Sequence, residues 1–530
     1  MESFALRVMD WNKTNGAGTI IPANRTEEIK SILRQLDKPV VIASLDKSLT
    51  FLDTRNSLGR DTIAFVPDFL PEQLGDNSFK SSYNTRYTLY AGAMANGISS
   101  EDLVIAMGKA GMMGSFGAGG LLPERIERAI QNIKAALPDG PYAFNLINSP
   151  IEPALEARTA ELYVKHNITV VEASAYLGLT LHLVWYRVSG LSADADGKAV
   201  ISHRVIAKVS RKEIAKRFLE PAPEDLLNQL VGSGKITQNQ AALALTVPMA
   251  DDITVEADSG GHTDNRPLVN ALPAIINLRD VIQAKHNYAR QVRVGAAGGI
   301  GTPAAALAAY MMGAAYVVTG SINQACVESA ASPFTRNLLA QAEMTDMAMA
   351  PASDMFEMGV RVQVLKRGTM FAMRGQKLFE IYTRYNSIEE IPVSEREKLE
   401  SSIFQQSLDA IWQECIKFFT ARDPRQVERA EKDPKTKMAL IFRWYLGLSS
   451  RWSNIGEKGR EMDYQIWCGP AMGAFNDWTK GTYLEKVENR GVGDVNLQIL
   501  NGAAYLYRLR ILEAQGVRFA SMLTQFVPQK

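Results

Sequence analysis

The sequence has few of the residues on which several kinds of site depend. Its 530 residues include three cysteines and five histidines, and 58 Lys and Arg are balanced by 57 Asp and Glu. Three widely spaced cysteines argue against a disulfide framework, and no H-E-x-x-H or paired-cysteine motif indicates a metal site. Balanced charge gives no global field that would attract nucleic acid or a membrane. We therefore expect a cytoplasmic protein with no metal and no nucleic-acid partner.

One uncharged stretch could be mistaken for a membrane helix. No charged residue occurs from Val294 to Val327, but glycines recur there and Pro303 interrupts the run. A membrane span needs about 20 continuous, strongly apolar residues. The pattern instead predicts a strand, a glycine turn, an alanine-rich helix and a second strand. Residues 1–4 do not begin a basic and then apolar segment, so no secretory signal is expected.

Short apolar runs that end in small residues recur from about residue 85. They lie near residues 88–93, 111–116, 141–146, 168–173, 205–209, 252–257, 292–296 and 315–319. Helical patterns separate most of them, and Pro123 suits the first position of one such helix. Eight strand–helix units favour an α/β fold, a (β/α)8 TIM barrel, over an open doubly wound sheet. Looser spacing before the fifth and sixth strands predicts insertions at residues 192–198 or 221–240.

The regions on either side of the predicted barrel have a different pattern. Residues 1–84 resemble an α+β region with a strand at residues 40–42. Residues 336–530 carry mostly helical patterns and five of the seven tryptophans. We therefore predict three regions: residues 1–84, a cofactor-binding barrel over residues 85–335, and a mainly helical, substrate-binding region over residues 336–530.

The sixth apolar run leads into a short motif with one histidine. Ser259, Gly260 and Gly261 precede His262. Adjacent glycines let the backbone approach a flat ligand closely, and the C-terminal ends of barrel strands carry the active sites of this fold. An unperturbed pKa near 6.5 lets a histidine donate a proton at neutral pH. We predict that His262 is catalytic. The alternative is a histidine that bonds loop carbonyls and fixes the turn.

Glycines also follow the seventh and eighth strands. Gly298, Gly299 and Gly301 come after the seventh, and Gly320 and Ser321 come after the eighth. In barrels these two loops and a helix N-terminus form a phosphate site. A dinucleotide fingerprint does not fit, because no G-x-G-x-x-G run is present with an acid about 20 residues later. We predict cofactor phosphate binding here, with tight turns in a buried unit as the alternative.

Three other strand ends fit a flat ring lying across the barrel mouth. Ala93, Met94 and Ala95 after the first strand are small enough to pack against an isoalloxazine face. Asn145 on the third strand offers an amide to ring heteroatoms. Lys208 on the fifth strand is a cation in an apolar run. A cation near the N1–C2 edge of an isoalloxazine ring favours the anionic reduced form of that ring. A lysine with its stem along the surface is the alternative for Lys208.

These motifs resemble a known superfamily. Residues 256–262 match the E-x-x-x-G-G-H signature of nitronate monooxygenases and FabK-type enoyl reductases. The longer string through Pro267, and residues 349–359 and 465–473, are similar to the PfaD branch, which supplies trans-acting enoyl reductases to polyunsaturated fatty acid and polyketide synthases. The resemblance implies FMN, NADPH as the hydride source, an enoyl thioester on an acyl carrier protein, and His262 above the flavin. A homodimer is left open.

The resemblance leads to two expectations about the substrate. Seven of the 20 methionines fall between residues 344 and 373, and flexible thioethers would suit an acyl channel, although such methionines are also common in cores. An acidic carrier protein would need a basic patch, or these charges are an ordinary solvated face. The candidates are Arg211, Lys212, Lys216, Arg217, Lys366, Arg367 and Arg374.

Two other functions compete with enoyl reduction. One is a nitronate monooxygenase-like oxidase, in which reduced flavin reacts with oxygen. The other is a flavin-binding scaffold protein that docks on a synthase without turnover. The intact glycine loops argue against the scaffold.

Overall fold

The computed structural model describes residues 26–45, 48–52, 62–150 and 152–530. Its centre is a closed barrel of eight strands, and all eight neighbouring pairs are parallel. An N-terminal α+β region and a mainly helical C-terminal region flank the barrel. The predicted fold class is confirmed. Residues 1–4, which carry the signal-peptide prediction, lie outside the described residues.

The elements follow one another along the chain in three groups. The first group is α1 (Thr26–Arg34), β1 (Val40–Leu45), β2 (Ser48–Leu52), β3 (Thr62–Val66) and α2 (Asn77–Tyr83). The barrel group is β4 (Leu89–Ala91), α3 (Glu101–Lys109), β5 (Met113–Phe116), α4 (Pro123–Ala136), β6 (Tyr142–Ile147), α5 (Pro153–Lys165), β7 (Val170–Ser174), α6 (Leu181–Ser189), β8 (Leu191–Ala193), β9 (Ala199–Ile201), β10 (Arg204–Val209), α7 (Lys212–Leu219), α8 (Glu224–Gly232), α9 (Gln238–Ala244), β11 (Asp252–Glu256), β12 (Gly261–His262), α10 (Leu268–His286), β13 (Arg293–Ala297), α11 (Pro303–Met311), β14 (Val317–Thr319) and α12 (Ser321–Gln324). The last group is α13 (Pro333–Ala340), β15 (Met347–Pro351), β16 (Arg361–Leu365), α14 (Phe371–Arg384), α15 (Val393–Leu399), α16 (Leu408–Arg422), α17 (Arg425–Lys432), α18 (Pro434–Ile455), α19 (Ala471–Thr479) and α20 (Val492–Ala514).

Each predicted barrel run corresponds to an observed strand, in the order β4, β5, β6, β7, β10, β11, β13 and β14. The two predicted insertions are present. The β8–β9 hairpin lies before the fifth barrel strand, and α8 and α9 lie before the sixth. Pro123 is the first residue of α4, where its missing N–H costs no helical hydrogen bond.

The N-terminal end of the barrel is closed by side chains. Phe79 and Tyr83 on α2 belong to a buried cluster with residues of seven barrel strands. Beside them, Arg293 donates from Nε and Nη2 to the two carboxylate oxygens of Asp252, at 2.6 and 2.7 Å. Because this end is filled, a ligand reaches the barrel from the C-terminal ends of its strands.

The C-terminal region packs directly on the barrel. Its β15 and β16 form an antiparallel sheet with β12, the short strand that carries His262. Helix α20 packs against α11, α3 and α1 and is buried on most sides, which explains its lack of a polar face. One core cluster includes residues of all three predicted regions. The boundaries at residues 84 and 335 stay a prediction. None of the described helices has the length and apolarity needed to cross a membrane.

Candidate active site

A cavity of about 1250 Å³ opens at the C-terminal ends of the barrel strands and extends beneath the C-terminal helices. Nearly all the predicted site residues line it: Ala93, Met94, Ala95, Asn145, Lys208, Ser259, Gly260, Gly261, His262, Gly298, Gly299, Gly320 and Ser321. Gly301 is the exception. A Cβ on Gly301 would stand 2.5 Å from the carbonyl oxygen of Ala471. Close packing on α19 therefore accounts for the absence of a side chain at Gly301, and a role of its backbone in the phosphate loop stays a prediction.

His262 lies beside an acid from the C-terminal region. The pairing of β12 with β16 places His262 opposite Val362, and the loop between β15 and β16 brings Asp354 to within 3.2 Å, from Nε2 of the ring to Oδ1. The two atoms are close enough for an ion pair, although Nε2 is not aligned for a hydrogen bond. Both side chains line the cavity. The arrangement favours a protonated ring.

The environment of His262 shifts its pKa upward. Burial by itself lowers the pKa of the ring, but the carboxylates of Asp354 and Glu256 outweigh that effect and raise it above the usual value. Burial would raise the pKa of Asp354, yet His262 lowers it overall. The raised pKa favours the protonated ring, and the ring lines the cavity.

Lys208 lies between the carboxylates of Glu256 and Glu172. The sequence alone does not indicate that these three side chains meet. Nζ of Lys208 is 3.1 Å from Oε1 of Glu256 and 3.6 Å from Oε1 of Glu172, which is fully buried. Burial opposes the charge on Lys208, but the two carboxylates raise its pKa overall. The alternative of a surface lysine is wrong, because Lys208 faces the cavity. In the sequence, Glu172 could have been recognised as an acidic residue within the otherwise apolar run V-V-E-A-S.

The side-chain amide of Asn145 forms hydrogen bonds with the protein through its nitrogen. Its Nδ2 donates to the carbonyl oxygen of Glu172 and to Oγ of Ser174, both at 3.0 Å. Because both N–H groups are engaged, Oδ1 is left as an acceptor. Glu172 in turn accepts a hydrogen bond from the backbone N–H of Ala93 at 3.1 Å. The side chain of Asn145 can therefore accept one hydrogen bond from a ligand and cannot donate.

Gly299 and Gly320, in the loops after β13 and β14, leave open space, whereas a Cβ on Gly298 would stand 2.7 Å from a backbone atom of Ala257. Gly298 and Gly299 have φ values of 82° and 75°, which favour glycine. No atom of the described residues lies within 4 Å of where a Cβ on Gly299 or Gly320 would stand. Residues 298–301 form no hydrogen bond with any other described residue. Unpaired backbone N–H groups at a cavity wall are donors that suit an anion.

Gly260 lines the cavity and also allows a close contact with the C-terminal region. A Cβ there would stand 2.7 to 2.9 Å from backbone atoms of Cys468, and a Cβ on Gly469 would meet Gly260 in return. The two chain segments thus touch backbone to backbone, and Gly469 also donates to Oγ of Ser321 at 3.0 Å. Gly260 therefore permits this backbone contact, and its predicted contact with a flat ligand stays a prediction. Cys468 is buried, and burial raises the pKa of its thiol.

Replacing Gly260 by alanine is expected to lower the free energy of unfolding by about 1–3 kcal/mol, because the added methyl group overpacks the contact with Cys468. Chemical denaturation of the purified protein measures this change. Gly320→Ala is the matched control, since its Cβ would meet no described residue. Equal stability of the two variants would contradict the proposed packing role.

A family model described as nitronate monooxygenase matches residues 77–383. This chain belongs to the nitronate monooxygenase family. A second model, described as the inserted helical domain of [acyl-carrier-protein] S-malonyltransferase, matches residues 385–464, which include α16 and α18. The enoyl reductase domain of MlnA, from the macrolactin biosynthesis cluster of Bacillus amyloliquefaciens, is 40% identical with a TM-score of 0.80. The match covers 84% of this chain and 99% of that domain.

Curated relatives are longer proteins. One polyunsaturated fatty acid synthase subunit of a Thraustochytrium species is 51% identical over 92% of this chain, which spans 33% of that relative. The polyketide biosynthesis protein PksE of Bacillus subtilis is 45% identical over 83% of this chain, which spans 57% of PksE. These relatives bear out the resemblance to the PfaD branch.

Two substrate expectations need correction within this family fold. Of the seven methionines, only Met355 and Met358 line the cavity, and Met347 and Met349 lie on the strand β15. Several predicted basic residues are paired with acids. The pairs are Arg211 with Asp264, Lys216 with Glu220, Arg367 with Asp346 and Arg374 with Asp463. Hydrogen bonds from Arg211 lower the pKa of Asp264 to about 2. These pairs weaken the predicted docking patch.

Proposed function

We propose that the protein is an FMN-dependent enoyl reductase that acts in trans on 2-enoyl thioesters bound to an acyl carrier protein, with NADPH as reductant. The observation that carries this proposal is a single cavity that joins His262, the open glycine loops and an apolar extension under the C-terminal helices. The 40% identical enoyl reductase domain of MlnA supports the reaction type. The synthase names of the curated relatives support the carrier-bound substrate.

The described residues fit a flavin mononucleotide. Gly299 and Gly320 leave a cradle that side chains would fill, and the unpaired amides of residues 298–301 suit its phosphate. Oδ1 of Asn145 can accept from a ring N–H, and Ala93, Met94 and Ala95 border the ring space. When bound, FMN would carry the hydride from NADPH to the β-carbon of the thioester.

His262 and its neighbours would complete the reduction. Negative charge develops on the thioester oxygen and the α-carbon, where a nearby proton donor lowers the barrier. His262 would donate that proton, and Asp354 would hold the ring protonated and oriented. Lys208 would place positive charge at the base of the cavity, held there by Glu172 and Glu256. A cytoplasmic location and a homodimer also stay predictions.

Stopped-flow spectroscopy tests the function directly. The purified flavoprotein is reduced by NADPH and then mixed anaerobically with a crotonyl thioester. Reoxidation by the thioester supports the proposal. Reoxidation by oxygen with a nitronate, and none by the thioester, would favour the oxidase that the family name suggests. Failure of reduction by any nicotinamide would favour a flavin-binding scaffold.

Replacing Gly320 by leucine is expected to weaken FMN binding by about tenfold, because the side chain would occupy the open cradle. Flavin affinity is measured by fluorescence quenching during titration of the apoprotein. Gly232→Leu is the matched control: it adds the same side chain to open space at the end of α8, outside the cavity. Unchanged affinity in Gly320→Leu would remove this loop from the phosphate site.

A further inference from the structure

The cavity continues from His262 into an apolar channel with two walls. One wall belongs to barrel loops and includes Leu121, Leu122, Ile147, Leu155 and Leu177. The other belongs to α16 and α18 and includes Cys415, Phe418, Phe419, Trp444, Leu448 and Ile455. Four of these side chains are large hydrophobics about half exposed: Leu122 at 54%, Leu177 at 53%, Phe418 at 50% and Ile455 at 59%. Exposed apolar surface concentrated inside one concave site is typical of a binding site for an apolar ligand.

Contacts on two sides hold the channel walls together. Nδ2 of Asn96, in a barrel loop, donates to Oγ of Ser450 on α18 at 3.0 Å. Arg422, the last residue of α16, donates to Glu152 before α5 at 2.8 Å. The C-terminal helices are thus fixed over the barrel mouth, and the channel is a built feature of the fold. Its charged lining residues include Arg443, which is bound to the carbonyl oxygen of Ser353 at 2.8 Å.

Gly447 is unusual among the glycines inside the described helices. At Gly108, Gly375, Gly473, Gly493 and Gly502, a Cβ would stand 3.3 Å or less from a neighbouring group, so close packing explains each of them. Around Gly447 no described atom lies within 4 Å of the Cβ position, and its φ is not positive. Glycine weakens a helix interior relative to alanine. Neither backbone conformation nor packing therefore accounts for Gly447.

The position of Gly447 in the cavity wall explains why a glycine occurs there. It lies on α18 with Trp444, Leu448, Arg451 and Ile455, all on the face that lines the cavity. This spacing of three or four residues is that of one helix face. The face runs for about 16 Å, at 1.5 Å per residue. A side chain at Gly447 would project into the channel one helical turn from Trp444, nearer to that end of the face than to Ile455.

We infer that this channel holds the hydrocarbon chain of a long acyl group, and that Gly447 keeps it open for that chain. The inference rests on the proposed enoyl reductase function and adds its substrate class. The cavity volume of about 1250 Å³ exceeds the roughly 300–1,000 Å³ usual for a single-ligand pocket. A volume of this size has room for a long chain as well as a flavin. Short acyl groups would leave the channel walls in contact with water.

Gly447→Leu tests the inference through chain length. Anaerobic reoxidation of the reduced flavoprotein is measured with crotonyl-pantetheine and with hexadecenoyl-pantetheine. Relative to the wild type, the variant is expected to lose at least about tenfold more of its rate with the hexadecenoyl thioester than with the crotonyl thioester. Gly232→Leu, outside the cavity, should match the wild type with both. The inference would be overturned if the variant reduced both thioesters at the wild-type rates, or if its rate fell by the same factor with each of them.

A binding measurement separates this inference from the proposed function. Hexadecanoyl-pantetheine, which is saturated and cannot be reduced, is titrated while the fluorescence of tryptophan is followed, since Trp444 lines the channel. Gly447→Leu is expected to bind it at least about tenfold more weakly than the wild type does. Equal binding would overturn the inference even if enoyl reduction is observed. Weakened binding without any reduction of thioesters would refute the proposed reaction and retain the channel.

Discussion

Replacement of His262 by glutamine is expected to slow reoxidation of the reduced flavoprotein by a crotonyl thioester by about 10²–10⁴-fold, the usual contribution of a positioned proton donor. Glutamine keeps a polar side chain of similar length but cannot release a proton at neutral pH. Because the flavin cradle is built from other residues, the variant should retain FMN. Its reduction by NADPH should also continue at a rate close to that of the wild type.

Two comparisons make the His262 prediction specific. His166→Gln alters a histidine that is bound to Glu127 on the outside of the barrel, and it should leave both half-reactions unchanged. The flavin spectrum of His262→Gln should match that of the wild type. Thioester reduction by the FMN-bound variant at more than a tenth of the wild-type rate would rule out His262 as the proton donor.

The barrel could be predicted from the sequence because its strands are buried on both faces. Parallel strands of this kind are near-continuous apolar runs, so eight of them in succession are recognisable. The small sheet of β12, β15 and β16 could not be predicted in the same way. β12 has two residues, and β15 reads M-A-M-A-P without a β-branched side chain. Both strands depend on their contacts with β16, which no local pattern reveals.

The parts of the candidate site that could be predicted are those in which one short segment carries both the strand end and the functional residue. His262 follows two glycines at a strand end, and the glycines after β13 and β14 follow their strands directly. Asp354 reaches His262 only because β12 pairs with β16, so nothing in the local sequence assigns it. Gly260 and Gly301 look like ligand-binding glycines in the sequence, yet their Cβ positions are taken by residues 468 and 471. The contacts of Asp354, Gly260 and Gly301 depend on tertiary packing, which the local sequence does not reveal.

Asp354 gives the second large effect, and its direction follows from the contacts of His262. Burial lowers the pKa of the ring, while Asp354 and Glu256 raise it and Lys208 lowers it. Removing the charge of Asp354 therefore lowers the pKa of His262. A proton donor is active while it is protonated, so its activity falls as pH rises through its pKa. In Asp354→Asn this fall should begin at a lower pH than in the wild type.

The kcat for thioester reduction, measured against pH in the two proteins, tests this role. Asp354→Asn is expected to be about 100-fold slower than the wild type at neutral pH, since partners that orient a functional histidine are worth up to about that factor. The deficit should shrink as the pH falls, because the ring regains its proton. Asp354→Glu, which keeps the carboxylate, should restore much of the pH profile. A loss that is the same at every pH would mean that Asp354 only maintains the loop, and that it does not control the proton on His262.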